Sequence, residues 1–213
     1  MILEVELPTT NYQLPTTNYQ SDMIKDLIKK NRSYRRFDNS FSIPLDTLRE
    51  LIDFARLSPS GANLQPLKFI ISNSPGTNAE IYPCLAWAGY LKDWDGPIEK
   101  ERPSAYVIIL GDKNIKNEFS CDCGIAAQSI LLGSAEKGLG GCMIGSIQKN
   151  KLADILNIDP QYEIQLVIAL GKPVETVQIE EMKLADNIKY WRDEKNIHHV
   201  PKRSLKEIIL REL

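Results

Sequence analysis

The sequence of 213 residues is poor in histidine and cysteine, carries no basic excess and has no long apolar run. Its two histidines, His198 and His199, are adjacent, so a four-ligand zinc site is poorly supplied. The four cysteines are Cys84, Cys121, Cys123 and Cys142. They lack the clustering that an iron–sulfur centre needs and the density of a disulfide scaffold, so we expect reduced thiols and no bound metal.

The charge and the apolar runs exclude two classes of partner. A formal net charge of −2 argues against nucleic acid, because nucleic-acid-binding domains usually carry a clear basic excess. The longest apolar stretch, around Ile125 to Leu132, falls short of the roughly 18 residues that a membrane-spanning helix needs. The N-terminus also lacks the basic region and apolar core of a secretory signal. We therefore expect a cytoplasmic protein without a nucleic acid or membrane partner.

A short duplication sets the N-terminus apart. Residues 7–13, Leu-Pro-Thr-Thr-Asn-Tyr-Gln, recur unchanged at 14–20. The unit is too short and too polar for a solenoid repeat, so it indicates an extended arm. We predict an N-terminal extension over residues 1–21 and one compact domain over residues 22–213.

The rest of the chain mixes helices with a few strands. Ser21 and Asp22 are predicted to cap a first helix, and Pro44 opens a second. Predicted strands cover Leu67–Ser72, Tyr106–Leu110 and Gln165–Leu170, and predicted helices cover Gly124–Gly138 and Lys149–Leu156. The helix that ends at Gly138 is apolar on nearly every face, which is typical of a core or an extensive interface. The pattern predicts an α+β or mixed α/β fold with more helices than strands.

Three polar stretches are candidates for ligand binding. Arg32-Ser33-Tyr34-Arg35-Arg36-Phe37 offers guanidinium groups and a hydroxyl, which suit a phosphate, although such a run is also common as a solvated surface cluster. Ser58–Pro66 carries Asn63 and Gln65, whose amides both donate and accept, although it also suits an ordinary turn. The third stretch, near the C-terminus, contains Lys202 and Arg203.

A glycine-rich segment, Gly138–Gly145, lies between the last two predicted strands. It has no Gly-Lys-Ser/Thr and is neither a Walker A motif nor a dinucleotide-binding fingerprint. Its glycines would let backbone N–H groups approach a planar ligand, although a helix C-cap that leads into a strand has the same composition.

Taken together and in this order, these segments are similar to the motifs of the nitroreductase family of FMN-dependent oxidoreductases. The similarity extends from about residue 22 to the end. It implies a three-layer α-β-α sandwich with a central, mostly antiparallel sheet. It also implies an intertwined homodimer that builds each FMN site from both subunits, with the Gly124–Leu139 helix at the interface.

The resemblance also implies roles for particular residues. Arg32, Ser33 and Arg203 would hold the FMN phosphate with Lys202 nearby, and Arg35 would face the ribityl chain and the pyrimidine side of the flavin. The remaining implied cofactor-binding residues are Pro59, Ser60, Gly61, Asn63, Gln65, Met143, Ile144 and Gly145. Asn31 stands where the family often has a second basic residue, which makes Arg203 more important.

The region from 84 to 106 would shape the substrate cavity in this family, and here it carries Trp87, Tyr90 and Trp94. These aromatic side chains could stack on a substrate or on the flavin, or simply pack in the core.

The implied activity is hydride transfer from NADH or NADPH, through bound FMN, to a nitroaromatic, quinone or similar acceptor by a ping-pong scheme. No protein side chain is then needed as a catalytic residue, although Arg35 is a candidate to stabilise reduced flavin. Two alternatives remain. One is a divergent flavin enzyme such as a reductive dehalogenase, and the other is a protein that stores or senses FMN.

Overall fold

The computed structural model describes residues 19–182 and 187–213, without the side chains of residues 19–22. The duplicated arm therefore lies almost wholly outside the described residues. Helix α1 covers Tyr19–Lys30. The helix already includes Ser21 and Asp22, so the prediction that these residues cap it is wrong.

The described residues form six α-helices, three 3-10 helices and seven strands, so helices outnumber strands as expected. After α1 the α-helices are α2 (Leu45–Leu57), α3 (Pro75–Ile81), α4 (Ser120–Glu136), α5 (Lys149–Ile155) and α6 (Leu205–Ile208). The strands are β1 (Leu67–Ser72), β2 (Ala105–Asp112), β3 (Gly140–Ile144), β4 (Tyr162–Gly171), β5 (Val177–Met182), β6 (Trp191–Arg192) and β7 (His198–Arg203).

The main sheet has the strand order β1-β2-β4-β3 and is antiparallel throughout. All eight residues of β2 are buried, because helices cover both faces of the sheet. Alternate residues of this strand enter two separate cores: Val107 and Ile109 pack with α2 and α4, whereas Ile108 and Leu110 pack with α3 and α5. This arrangement is the predicted three-layer α-β-α sandwich.

Helix α4 runs along one face of that sheet. Ala127 and Ile130 are fully buried, so the apolar character of the helix is largely covered within its own chain. A side chain at Gly133 would collide with the ring of Phe54, which explains how closely α2 and α4 approach each other. Gly138 has a φ of +70° just beyond the helix end, as expected for a glycine C-cap.

A second sheet of three strands, in the order β5-β7-β6, was not predicted. β5 and β7 pair in parallel, and β6 pairs with β7 in antiparallel fashion. His199 on β7 stacks on Trp191, with 4.1 Å between ring centroids, and contacts the carboxylates of Glu180 and Asp193. Among all the residues that the structure describes, no helix is long and apolar enough to cross a membrane.

Candidate functional site

A cavity of about 370 Å³, called the main cavity below, opens where the arginine-rich segment meets α4, β3 and β7. Its lining residues are Asn31, Arg32, Ser33, Arg35, Gln128, Leu131, Met143, Tyr190, His198, Val200 and Lys202. The fold therefore brings together the first predicted motif, Met143 of the glycine-rich segment and Lys202 near the C-terminus.

The first motif reaches the cavity by lying directly against β3. Ser33 forms a parallel bridge with Gly141, and the backbone N–H of Tyr34 donates to the carbonyl of Gly141 at 3.0 Å. A Cβ atom at Gly141 would lie 2.6 Å from Leu131 and 2.8 Å from the carbonyl oxygen of Ala169, so no side chain fits there. Gly141 therefore allows β3 to pack closely against α4 and β4, and the neighbouring Gly140 makes room for the first motif, because a Cβ atom there would collide with the ring of Tyr34.

Strand β7 places one of the two C-terminal basic residues at the cavity. Because side chains alternate along a strand, His198, Val200 and Lys202 line the cavity together. Arg203 points to the other face, where it is ion-paired with Glu207. In this chain Lys202, and not Arg203, is therefore the basic residue that β7 turns toward the main cavity.

Arg35 is a buried cation in the cavity wall, with a relative exposure of 9%. Its guanidinium lies 4.6 Å from the centre of the Tyr190 ring and 3.2 Å from Nε2 of His198, and it donates to the carbonyl of Ser33 at 3.3 Å. Within the described part of the chain, no carboxylate forms an ion pair with this guanidinium. Because a buried cation is costly without a counter-charge, the arrangement favours an anionic or electron-rich ligand.

A buried carboxylate fixes the backbone of this segment. The side chain of Glu175 is fully buried and accepts hydrogen bonds from the backbone N–H groups of Arg35 and Arg36, the latter at 3.2 Å. Its second oxygen is ion-paired with Arg192 at 2.9 Å. Glu175 thus ties the first motif to β6 and leaves the guanidinium of Arg35 directed to the cavity.

The electrostatics of His198 follow from its surroundings. Burial, reinforced by the nearby charges of Arg35 and Arg192, lowers the pKa of His198 to about 4. The ring is therefore neutral at pH 7, and Nε2 accepts from Arg35 because a guanidinium can only donate. Nδ1 then carries the proton, and among the described residues this buried atom has no hydrogen-bond partner. Nε of Arg32 is likewise buried and has no hydrogen-bond partner among the described residues.

Sequence reasoning missed Tyr190 and His198 as site residues. The histidines were considered only as zinc ligands, and Tyr190 was not considered as a ligand contact. No local signal marked the strand that carries His198, because residues 198–203 do not alternate between apolar and polar side chains and include Pro201.

A second, smaller cavity of about 170 Å³ shares Arg35, Met143 and Tyr190 with the main cavity. Its other lining residues are Ala86, Trp87, Ala88, Cys142, Ile144, Gly145 and Ser146. The predicted residues Ile144 and Gly145 therefore line a cavity that adjoins the main cavity.

The three candidate substrate residues differ in their positions. Trp87 lines the smaller cavity, and the exposed ring of Tyr90 packs on Tyr190 with 5.0 Å between centroids. Trp94 lines neither cavity and lies under the guanidinium of Arg192 at 4.4 Å. Of the three, Trp87 lines a cavity of the site, Tyr90 contacts the lining residue Tyr190, and Trp94 contacts the ion-pair partner of Glu175.

The predicted Asn/Gln loop lies elsewhere. Pro59, Ser60 and Gln65 line a separate cavity of about 90 Å³ together with Asp122 near the N-terminus of α4. Leu131, which lines the main cavity, is nine residues further along α4, or about 13 Å at 1.5 Å per residue. Within one chain, the structure therefore does not bring this loop to the main cavity.

The chain matches the family model described as "Nitroreductase family" over residues 28–172. It is 24% identical to the putative NAD(P)H nitroreductase YodC of Bacillus subtilis over 196 residues, covering 78% of this chain and 97% of that protein. It is also 24% identical over 168 residues to an iodotyrosine deiodinase of Thermotoga neapolitana, covering 71% of this chain and 89% of that protein.

Solved structures agree with the fold. An FMN-dependent nitroreductase from Clostridium difficile R20291 superposes with a TM-score of 0.59 at 23% identity, covering 76% of this chain and 90% of that one. Since the family model spans well over half of the 213 residues, the chain belongs to the nitroreductase family, a family of oxidoreductases.

Proposed function

We propose that this protein is an FMN-dependent oxidoreductase that uses NADH or NADPH to reduce a nitroaromatic, a quinone or a similar small acceptor. The observation that carries the proposal is the main cavity. Three cationic side chains, Arg32, Arg35 and Lys202, converge there, and Arg35 is buried without a carboxylate partner among the described residues. Family membership and the FMN-dependent relative of known structure support the same conclusion.

The residues present fit a phosphorylated flavin. Arg32, Ser33 and Lys202 offer two cations and a hydroxyl, the donors that a phosphate group takes. The buried, unpartnered nitrogen atoms of Arg32 and His198 are further potential donors at this wall. Bound FMN would supply the redox chemistry by accepting a hydride and passing it on.

The protein's own side chains would then position the cofactor and stabilise its negative charge. Arg32, Ser33 and Lys202 would hold the phosphate end, and Arg35 would offset negative charge at the pyrimidine edge. Tyr190 restricts the access of water to Arg35 by stacking on it. A neutral His198 keeps Arg35 in place without adding a competing negative charge.

We further propose a homodimer in which the Pro59–Gln65 loop of one subunit completes the main cavity of the other. The separation of loop and cavity along α4 supports this arrangement. So do exposed apolar side chains on the helices at both ends of the described chain: Met23 (57%) and Ile24 (62%) on α1, and Leu205 (68%) and Ile208 (61%) on α6.

A direct test begins with the purified protein. We expect it to be yellow and to release FMN, identified by chromatography, on denaturation. Under anaerobic conditions NADH or NADPH alone should bleach the colour, and an acceptor should restore it. Because the sequence has no dinucleotide fingerprint, donor and acceptor would use the same cavity in turn, which predicts parallel double-reciprocal plots. Release of FAD, or failure to bind FMN after reconstitution, would contradict the proposal.

The alternatives give different results in the same experiment. A storage or sensing protein would bind FMN but show no turnover with NADH or NADPH. Reductive dehalogenation is a second candidate activity, favoured by the match to a deiodinase. It would appear as halide release from a halogenated phenol.

Strand β7 allows a second, matched test. We expect Lys202→Met to weaken FMN binding by about tenfold, because it removes a charged donor from the phosphate end. Arg203→Met should change binding by less than about threefold, since that exposed guanidinium is paired with Glu207. Titration of FMN fluorescence measures both. The reverse order of effects would assign the phosphate contact to Arg203, as predicted from the sequence.

A further inference from the structure

The Ser58–Pro66 loop has a backbone conformation that its residues do not favour. Ala62, Asn63 and Gln65 have φ angles of 50°, 54° and 49°, in the left-handed region that suits glycine. A non-glycine residue stays there only when its surroundings hold it. Asparagine adopts this region more readily than most side chains, but alanine and glutamine do not, so Ala62 and Gln65 require anchors.

The anchors come from α4. Oδ1 of Asp122 accepts a hydrogen bond from the backbone N–H of Gly61 at 2.8 Å, and Oδ2 is paired with Lys116 at 3.0 Å. About two turns further along α4, the hydroxyls of Ser129 and Ser58 lie 2.7 Å apart. Asp122 is only 3% exposed. Its contact is therefore shielded from water and can hold the loop firmly.

Unlike the hydroxyls of Ser58 and Ser60, the amide side chains of Asn63 and Gln65 make no close contact with the rest of the described chain. Asn63 and Gln65 are exposed, and within the described residues Gln65 Nε2 makes only long contacts of 3.4 Å, both to Asn63. The backbone of the loop is thus held in place while its amide side chains remain available to a ligand. This combination is typical of a preorganised binding segment.

We infer that Asp122 is a positioning residue of the flavin site, which holds the Ser58–Pro66 loop in its binding conformation through the N–H group of Gly61. The inference rests on the proposed function, because it assumes that the loop contacts FMN. Asp122 itself would touch neither the cofactor nor the substrate. Its effect would pass through the loop backbone, so an acceptor atom at this position matters more than its charge.

The hydrogen bond from Gly61 also keeps the carboxylate ionised. That bond, together with the pairing to Lys116, outweighs burial and lowers the pKa of Asp122 below its ordinary value. The anchor is therefore fully formed at neutral pH.

Three variants separate positioning from general stability. Asp122→Ala removes the acceptor, whereas Asp122→Asn keeps an oxygen that can accept from Gly61. Ser134→Ala is the matched control, since Ser134 is fully buried in the same helix and, among the described residues, its hydroxyl bonds only to the carbonyl of Ile130. Two quantities are measured for each: the dissociation constant of FMN by fluorescence titration, and hydrogen–deuterium exchange of the loop amides without FMN.

We expect Asp122→Ala to weaken FMN binding by about tenfold, since affinity falls in proportion to the population of the competent loop conformation. Exchange at Gly61 should accelerate in the same variant. Asp122→Asn should stay within about threefold of the parent, because the neutral hydrogen bond is retained. Ser134→Ala should leave both quantities unchanged.

The inference is overturned if Asp122→Ala binds FMN as the parent does, if Asp122→Asn is as weak as Asp122→Ala, or if Ser134→Ala is equally weak. If Asp122→Ala does not fold, Asp122→Ser replaces it, because the shorter side chain no longer reaches Gly61. Failure of the parent to bind FMN would contradict the proposed function instead. In that case the exchange data would still report whether Asp122 holds the loop.

Discussion

Glu175→Ala is expected to lower the free energy of unfolding by about 3–5 kcal/mol, the cost of removing one partner from a buried ion pair. The fully buried carboxylate accepts from two backbone N–H groups and pairs with Arg192. Without it, these donors are left in a region that water reaches poorly. Arg35 would also lose the contact that fixes its backbone, so FMN binding should fall together with stability.

Urea unfolding measures the change, and the chain supplies a matched control. Glu163 forms an ion pair with Lys149 in which both side chains are nearly half exposed. Glu163→Ala should therefore cost no more than about 1 kcal/mol. Equal effects at the two positions would mean that Glu175 is an ordinary surface partner and that the first motif is held by other contacts.

Three of the four strands of the main sheet, β1, β2 and β4, were predicted from the sequence, whereas the glycine-rich β3 was not predicted as a strand. Tyr106–Leu110 of β2 and Leu166–Leu170 of β4 are continuous apolar runs, and such runs indicate a buried strand without knowledge of the neighbouring strands. The second sheet could not be predicted from the sequence. β6 has two residues, and β7 begins with two histidines and contains Pro201, which argues against a strand. Its formation depends on pairing with β5, about twenty residues earlier, and no local pattern encodes that pairing.

The candidate site was likewise predicted only in part. Arg32, Ser33, Arg35 and Met143 were named from the sequence, and the structure places them around one cavity. Tyr190 and His198 were missed because they reach that cavity only through the second sheet. The shared flavin site of a dimer remains a prediction, since the loop residues Asn63 and Gln65 lie away from this cavity in the single chain.

We expect Arg35→Gln to weaken FMN binding by about a hundredfold, which corresponds to the loss of about 3 kcal/mol, the upper end for a hydrogen bond to a charged group. Arg35 is the buried cation of the cavity, and glutamine keeps a donor but removes the charge. Arg35→Lys should fall between the parent and Arg35→Gln, because it keeps the charge but loses the planar group that lies over Tyr190. Binding by Arg35→Gln at the parent's affinity would contradict the role of Arg35.

The same variant also tests whether the site is shared between subunits. A loop variant with alanine at Asn63 and Gln65 should bind FMN weakly as a homodimer, as should Arg35→Gln. In a heterodimer of the two, one site combines both defects. The other site combines the intact cavity of the loop variant with the intact loop of the Arg35 variant. Differently tagged chains, produced together and purified through both tags, should therefore bind one FMN per heterodimer with the parent's affinity. If the cavity and the loop of one site came from the same chain, each site would carry one defect. The heterodimer would then bind FMN as weakly as the two variant homodimers.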